Sequence, residues 1–451
     1  MSTLMASISG VRGIIGDGLD PGTIIKYTSA YADFIGKGKV VVGRDARITG
    51  EMVLSLVIGT LLAKGLDVIE IGICPTPTVQ YTVKTFKANG GIAITASHNP
   101  NQWNALKMLN GTGQFLSPDE YAKFQKMLNN FDKNYVSWNG VGKITHTEEG
   151  LKRHVNDVLN LKHINKEEIK TRKFKVLADC VNGAGVYIIP SFLKEFGCDV
   201  IELNCERTGI FPRLPEPIPE NLAETMKAVK ENHADLGIVV DPDVDRLVLI
   251  TNEGKPFSEE NTITQAVKFI LSKEKGNVVV NLSTTRAVDD VAKAEGQKVF
   301  RSPVGEANVV KKMKEVNAVI GGEGSGGVIY PELHYGRDAL VGIAITLQHL
   351  LEFGGTLAEL KEDLPIYFIA KKKIELGNIN PDEIIHKLIK KYSKKDINTE
   401  DGLRIDFEDH WVHFRKSNTE PIIRIITEAK TQSLAEDLSN RYVTEIKKLI
   451  P

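Results

Sequence analysis

Short apolar runs recur along this chain, each stopped by a polar turn and separated from the next by helix-like spacing. Val40-Val41-Val42 runs into Gly43-Arg44-Asp45, and residues 51–64 follow with helical periodicity up to Gly65, a helix terminator. Residues 67–71 read as a second strand, 78–87 as a second helix and 92–94 as a third strand. The pattern restarts at Lys175-Val176-Leu177-Ala178 and passes through Asn182-Gly183-Ala184-Gly185 into a helix ending near Gly197. Strands at 199–203 and 236–240 come next. A third pass begins at Asn277-Val278-Val279-Val280, with a helix over 286–295 and strands over 298–300 and 318–320. Strands alternating with helices of this length predict right-handed parallel units. Each pass closes with an apolar strand that enters a polar loop, at Ser97, at Asp241 and at Glu323.

The expectation is α/β: three related mixed-sheet α/β domains over 1–150, 151–253 and 254–368, their equivalent loops converging on one site. The pattern then changes. Trp411-Val412-His413-Phe414, a polar turn and Ile422-Ile423-Arg424-Ile425-Ile426 predict antiparallel pairing, and 433–449 a closing helix. That makes 369–451 a C-terminal α+β domain. Lys371-Lys372-Lys373 within it reads as a solvated charge run.

At 451 residues the chain is too long for one core, and 42% hydrophobic with 25% charged residues is ordinary for a globular protein. A net charge of −1 implies no nucleic-acid or anionic-membrane partner. The four cysteines show neither C-x-x-C spacing nor small-domain density, so reduced thiols are expected. The opening residues lack a basic region followed by a long apolar one, and no apolar run has the length of a membrane span. A cytoplasmic location is the expectation.

Four loops carry candidate chemistry. Ile92-Ala93-Ile94-Thr95-Ala96-Ser97-His98-Asn99-Pro100 presents a hydroxyl and an imidazole at the carboxyl end of a buried strand, where open α/β sheets do chemistry. The residue before proline is kept out of helical geometry, which holds the turn open. The loop is read as running on to Lys107, whose ammonium reaches back to a phosphoryl group or moves a proton; Trp103 is assigned to packing. Asp241-Pro242-Asp243-Val244-Asp245-Arg246 sets three carboxylates at alternate positions, a hard oxygen set suited to Mg²⁺. An EF-hand loop is excluded, because Arg246 and Asn252 stand where that loop needs Gly and Glu.

Gly321-Gly322-Glu323-Gly324-Ser325-Gly326-Gly327 allows close approach of a ligand and offers two hydroxyl-bonding side chains. It lacks the Gly-Lys-Ser/Thr ending of a nucleotide P-loop, so a sugar-hydroxyl site fits it better. Arg415-Lys416-Ser417-Asn418-Thr419-Glu420-Pro421, with Arg424 beyond, gathers cations and hydroxyls suited to a dianionic phosphate. Taken singly, each loop has a plainer alternative: a capping serine, a solvated acidic turn, a flexible glycine turn, a type I turn with solvated charges.

Together, Thr-Ala-Ser-His-Asn-Pro, Asp-Pro-Asp-x-Asp-Arg, Gly-Glu-x-Ser-Gly and Arg-x-Ser-x-Thr-Glu-Pro resemble the α-D-phosphohexomutase superfamily over nearly the whole chain. The resemblance implies a heart-shaped molecule of three α/β domains and a fourth that closes a central cleft. It implies a phosphoserine at Ser97, and Mg²⁺ held by Asp241, Asp243, Asp245 and that phosphate. Arg246 is then beside the metal, and Lys107, His98 and Arg12 assist transfer. Glu323 and Ser325 then recognise sugar hydroxyls, and Arg415, Ser417, Asn418, Thr419 and Arg424 the phosphate that is not reacting.

The implied reaction interconverts hexose 6-phosphate and 1-phosphate through a 1,6-bisphosphate, which also serves as activator. Ala105, Gly327, Glu306 and Lys416 depart from the commoner pattern of glycine, histidine, histidine and proline. The changes at 327 and 306 leave the general base and some sugar contacts unassigned, with His334 and Arg337 as candidate substitutes. Length and loop set resemble bacterial phosphoglucosamine mutases, while the glycine loop equally resembles phosphomannomutase/phosphoglucomutase relatives. An acidic neighbour for a sugar amino group, Glu306 or Glu332, tips the expectation to glucosamine phosphate. A metal-dependent serine phosphatase and a non-catalytic sugar-phosphate-binding protein are the rivals from other classes.

Overall fold

The computed structural model describes residues 3–131, 134–377, 379–416 and 422–450. Three α/β sheets and one antiparallel sheet follow one another along the chain. In the first, Gly90–Ile94, Lys39–Arg44, Asp67–Ile73 and Ile144–His146 run parallel, and Trp103–Leu109 and Gly10–Ile15 add antiparallel strands beyond Gly90–Ile94. The second orders Asp199–Leu203, Lys175–Asp179 and Leu236–Val240 in parallel, with Leu247–Thr251 antiparallel at the edge. The third repeats that plan with Val299–Ser302, Asn277–Asn281, Ala318–Glu323 and the antiparallel Gly327–Ile329.

The sheets are therefore mixed, and purely parallel units are not what forms. In all three, one parallel strand passes through a short polar loop and returns as an antiparallel neighbour. Gly90–Ile94 and Leu236–Val240 are buried at every residue, which explains their unbroken apolar runs. The returning strand Trp103–Leu109 was read as loop because Asn104 and Lys107 break its pattern; both are buried, and Lys107 lies within the strand. Glu323 likewise ends a strand rather than starting a loop.

One core runs continuously beneath the second and third sheets, from Phe192 and Phe257 to Val280 and Leu347. The helix Ala339–Phe353 lies in it with residues 339–350 all buried, including the polar Thr346, Gln348 and His349. The first sheet has its own core around Val42, Val57, Ile92 and Leu106. The C-terminal sheet, Phe368–Glu375, Ile422–Ala429, His410–Lys416, Leu403–Asp406 and Asp396–Asn398, is antiparallel throughout. It packs its own core against Pro381–Tyr392 and Gln432–Leu449. Among the described residues no helix is long and apolar enough to cross a membrane.

Candidate active site

The three strand-end loops and the C-terminal sheet face one cleft of about 460 Å³. It is lined by Arg12, Ser97, His98 and Lys107 from the first sheet and Arg246 beside the second. Glu306, Glu323, Ser325 and Arg337 line it from the third, and Arg415 and Arg424 from the fourth. Ser417, Asn418 and Thr419 lie outside the described residues.

Ser97 is buried and takes a left-handed φ of +48°, a conformation that costs a non-glycine residue about 1–3 kcal/mol. A clamp that the sequence reading missed holds it there. Buried Arg47 donates to the main-chain oxygens of Ser97 (2.6 Å), Asn99 (2.7 Å), Pro100 (2.7 Å) and Trp103 (3.1 Å). Its Nε donates to Asp45 (3.0 Å), which also accepts from Thr95 Oγ1 (2.7 Å). The only available signal was another apolar run ending in charge, Val40-Val41-Val42 before Arg44-Asp45-Ala46-Arg47.

Ser97 Oγ donates to Asp241 Oδ2 at 2.8 Å and lies 3.3 Å from His98 Nδ1. Burial, with Arg246 nearby, pushes the His98 imidazole far below its usual range, so it is neutral at pH 7. Arg12 donates to Asn99 Oδ1 at 3.2 Å.

Asp241, Asp243 and Asp245 are buried, each offering an oxygen within 4.8 Å of the others. Val244 between them takes a φ of +61°, a strained geometry for a β-branched residue. Lys107 donates to Asp243 at 2.6 Å and to Asp245 at 3.3 Å. Burial alone would lower the Lys107 pKa, but the two carboxylates outweigh it and raise it; the residue stays an ammonium. Burial, then Asp245 and Asp243, push Asp241 well above the carboxylate range. Asp243 is opposed by burial yet held low by Lys107 and Thr76.

Two oxygens of this set, Asp243 Oδ1 and Asp245 Oδ1, are buried without a hydrogen-bond partner. An acidic group with two orphaned oxygens and a carboxyl driven to keep its proton is short of positive charge. These residues therefore fit a hard divalent cation.

On the sugar-loop side, Glu323 accepts from Asn281 (2.9 Å), the Gly305 amide (3.0 Å) and Arg337 (2.9 Å). Arg337 also reaches Asp245 at 2.6 Å and Glu306 at 3.1 Å. Glu306 accepts a second bond from Gln80 at 2.8 Å, and burial pushes its carboxyl up to about 7.

Of the two candidate substitutes, Arg337 lines the cleft, whereas His334 lies behind it, bonded to Asp338 at 3.0 Å. Glu332 is exposed and spends its oxygens on the Lys162 amide and Tyr330 hydroxyl, so of the two acidic candidates only Glu306 faces the cleft. Lys371 is exposed, as expected of a solvated charge run, and also lines the cleft beside Glu259 at 3.5 Å. Arg415 and Arg424 oppose each other across two paired strands. Like charges in that register are unfavourable without an anion to share, and Asp401 offsets only Arg415, at 2.8 Å.

Comparison with known proteins agrees with this layout. Models of the phosphoglucomutase/phosphomannomutase family match in order: alpha/beta/alpha domain I over residues 5–134, domain II over 152–254, domain III over 260–367 and the C-terminal domain over 373–444. A protein of Methanopyrus kandleri named "Probable phosphoglucosamine mutase" is 34% identical over 98% of this chain and 97% of its own. A phosphoglucomutase/phosphomannomutase of Thermococcus kodakarensis is 37% identical over 95% of each. The crystal structure of a phosphoglucomutase/phosphomannomutase family protein from Burkholderia thailandensis superposes with a TM-score of 0.85 at 25% identity, covering 98% of both chains. With a four-sheet architecture, a cleft reached from every sheet and family models matching nearly end to end, this chain belongs to the phosphoglucomutase/phosphomannomutase family, within the α-D-phosphohexomutase superfamily.

Proposed function

We propose that this protein is a phosphohexomutase that works through a phosphorylated Ser97 and a hexose 1,6-bisphosphate. The observation that carries the reading is the Ser97 hydroxyl, 2.8 Å from Asp241 and at the mouth of a buried carboxylate triad. The phosphoryl group on Ser97 Oγ passes to the free C1 or C6 hydroxyl of a bound hexose monophosphate: a new P–O bond forms, the bond to Oγ breaks, and the hydroxyl proton ends on the departing Oγ, which leaves as the serine hydroxyl. The bisphosphate reorients, and its other phosphoryl group returns to Ser97 Oγ. Asp241, Asp243 and Asp245 would hold Mg²⁺, which when bound supplies charge to the transferring oxygens.

Lys107, held cationic by Asp243 and Asp245, and Arg246, whose buried Nε makes no hydrogen bond and lies 3.8 Å from Asp245, stabilise charge on the phosphoryl group. Neutral His98 hydrogen-bonds the serine oxygen, and Arg12 fixes Asn99 and faces the incoming phosphate. Glu323 and Ser325 receive sugar hydroxyls. Arg415 and Arg424, with Ser417, Asn418 and Thr419, grip the phosphate that is not reacting.

Hexosamine phosphate is the favoured substrate, on the name of the Methanopyrus relative and on Glu306, an acid that faces the cleft. The Thermococcus relative supports glucose and mannose phosphates as the second reading.

Intact mass with peptide mapping, before and after incubation with glucose 1,6-bisphosphate, tests the mechanism. One phosphate on Ser97, absent in Ser97→Ala, and its transfer to glucosamine, glucose or mannose phosphate without net phosphate release is the expected result. Phosphate released to water would favour a phosphatase. An unmodified Ser97 with no transfer would remove the mutase reading.

A further inference from the structure

Arg337 occupies a position that the steps above do not use. Its backbone is pinned, because Asp338 caps the helix Ala339–Phe353 through the Leu340 amide (2.9 Å). Asp338 also takes the Nε2 atoms of buried His154 (2.7 Å) and His334 (3.0 Å). From that fixed point the guanidinium spreads over three carboxylates that belong to separate segments. Nη2 bonds Asp245 of the triad (2.6 Å), Nη1 bonds Glu323 at the sugar loop (2.9 Å), and Nε bonds Glu306 at the start of the helix Glu306–Val316 (3.1 Å).

The stem lies over Gly327, where a Cβ would come within 2.3 Å of Arg337 Cδ. Glycine at 327 is thus what leaves room for the arginine. The Asp245 bond also divides the work of that carboxylate: Oδ2 is taken by Arg337 and Lys107, while Oδ1 has no hydrogen bond and only a 3.8 Å ion pair with Arg246.

We infer that Arg337 is a positioning residue that couples cation binding at Asp245 to sugar binding at Glu323. The inference rests on the mutase reading. A cation that draws on Asp245 and a sugar that draws on Glu323 compete for or reinforce one rigid fork, so each alters the affinity of the other by the same factor. A lysine cannot reproduce this, because a single ammonium lacks the planar fork that meets three carboxylates at once.

Mn²⁺ binding to the dephosphorylated full-length protein, followed by electron paramagnetic resonance with and without saturating glucosamine 6-phosphate, reads the coupling directly and needs no turnover. In the wild type the sugar phosphate is expected to shift the Mn²⁺ dissociation constant about fivefold or more. Arg337→Lys is expected to shrink that shift to under about twofold, as expected for a coupling that runs through the fork.

Gly327→Ala leaves every proposed catalytic residue in place and does not need a positive φ, yet it pushes the arginine stem aside. It is expected to lose the coupling as well, and it decides the matter if Arg337→Lys does not fold. A wild type that binds both ligands without coupling, or coupling kept in a folded Gly327→Ala, would overturn this inference alone. A wild type that binds no hexose phosphate would overturn the mutase reading, and this inference with it.

Discussion

Arg47 shows how much of a reactive loop is set by a residue that never faces the substrate. Its guanidinium satisfies four main-chain oxygens around Ser97 and one carboxylate, and so holds a serine in a backbone conformation it would otherwise leave. Arg47→Ala strands buried Asp45, and breaking a buried pair in this way costs about 3–5 kcal/mol. Thermal unfolding is expected to show the loss, and phosphoryl transfer to slow at least about tenfold, a loss of 1.4 kcal/mol in transition-state stabilisation. A variant as stable and active as the wild type would dismiss the clamp.

Glu260, beside Gly324 in the cleft, makes a second case. Burial pushes its carboxyl up to about 8 from an ordinary 4.5, although it accepts the Thr285 amide at 2.9 Å. Between those pH values the folded chain binds a proton that the unfolded chain releases. Stability from this group is therefore full below 4.5 and lost as pH rises through about 8. Glu260→Gln keeps the neutral form and the amide contact, so its melting temperature is expected to exceed that of the wild type by about 2 °C near pH 8.5. The difference should vanish toward pH 4.5; a constant offset would point to another cause.

The strand that enters each loop is legible in sequence because it is buried on both faces, and its apolar run is broken only where the chain turns to the cleft. The strand that leaves is not. Trp103–Leu109 carries Asn104 and the buried Lys107, placed there by function against its own alternation, and Gly327–Ile329 is too short to show a period. Most of the fourth loop lies outside the described residues, but the convergence of the other three on one cleft was readable. The Arg337 fork was not, since nothing along the chain says that the residue at 337 will lie over 327.

The Asp338 cap belongs to this scale too, because it joins the helix Ala339–Phe353 to two buried imidazoles. Asp338→Ala removes a cap worth about 1 kcal/mol and leaves buried ring N–H groups unpaired at about 1–3 kcal/mol each. Asp338→Asn keeps the Leu340 cap through its one oxygen and turns an amide NH2 to the two imidazoles. Calorimetry is expected to rank wild type above Asp338→Asn and Asp338→Ala last; equal midpoints for the two variants would assign the effect to the charge alone.

The whole molecule carries a net charge of −1, and its cleft mixes cations with Glu216, Glu259, Glu260, Glu306 and Glu323, but Arg415 and Arg424, opposed on the C-terminal sheet, concentrate positive charge at one wall. Local focusing of that kind draws a dianionic substrate and fades when salt shortens the screening length to a few ångström. KM for hexose phosphate is expected to rise about threefold or more between 0.05 and 0.5 M salt, with kcat little changed; a flat KM would place recognition in the sugar hydroxyls instead.

The partition of the interior into separate cores has a consequence for heat. Ser97 stands on a sheet with a core on each face, the triad and sugar loop on a pair of sheets that share a further one, and the two arginines on a sheet with its own. The reach from donor to acceptor is therefore set along the seams between these cores. Warming that loosens only the seams leaves helices and strands intact while the reacting groups drift out of range. Turnover is expected to cease several degrees below the collapse of far-ultraviolet ellipticity, and the gap between those two temperatures measures how firmly the seams are closed.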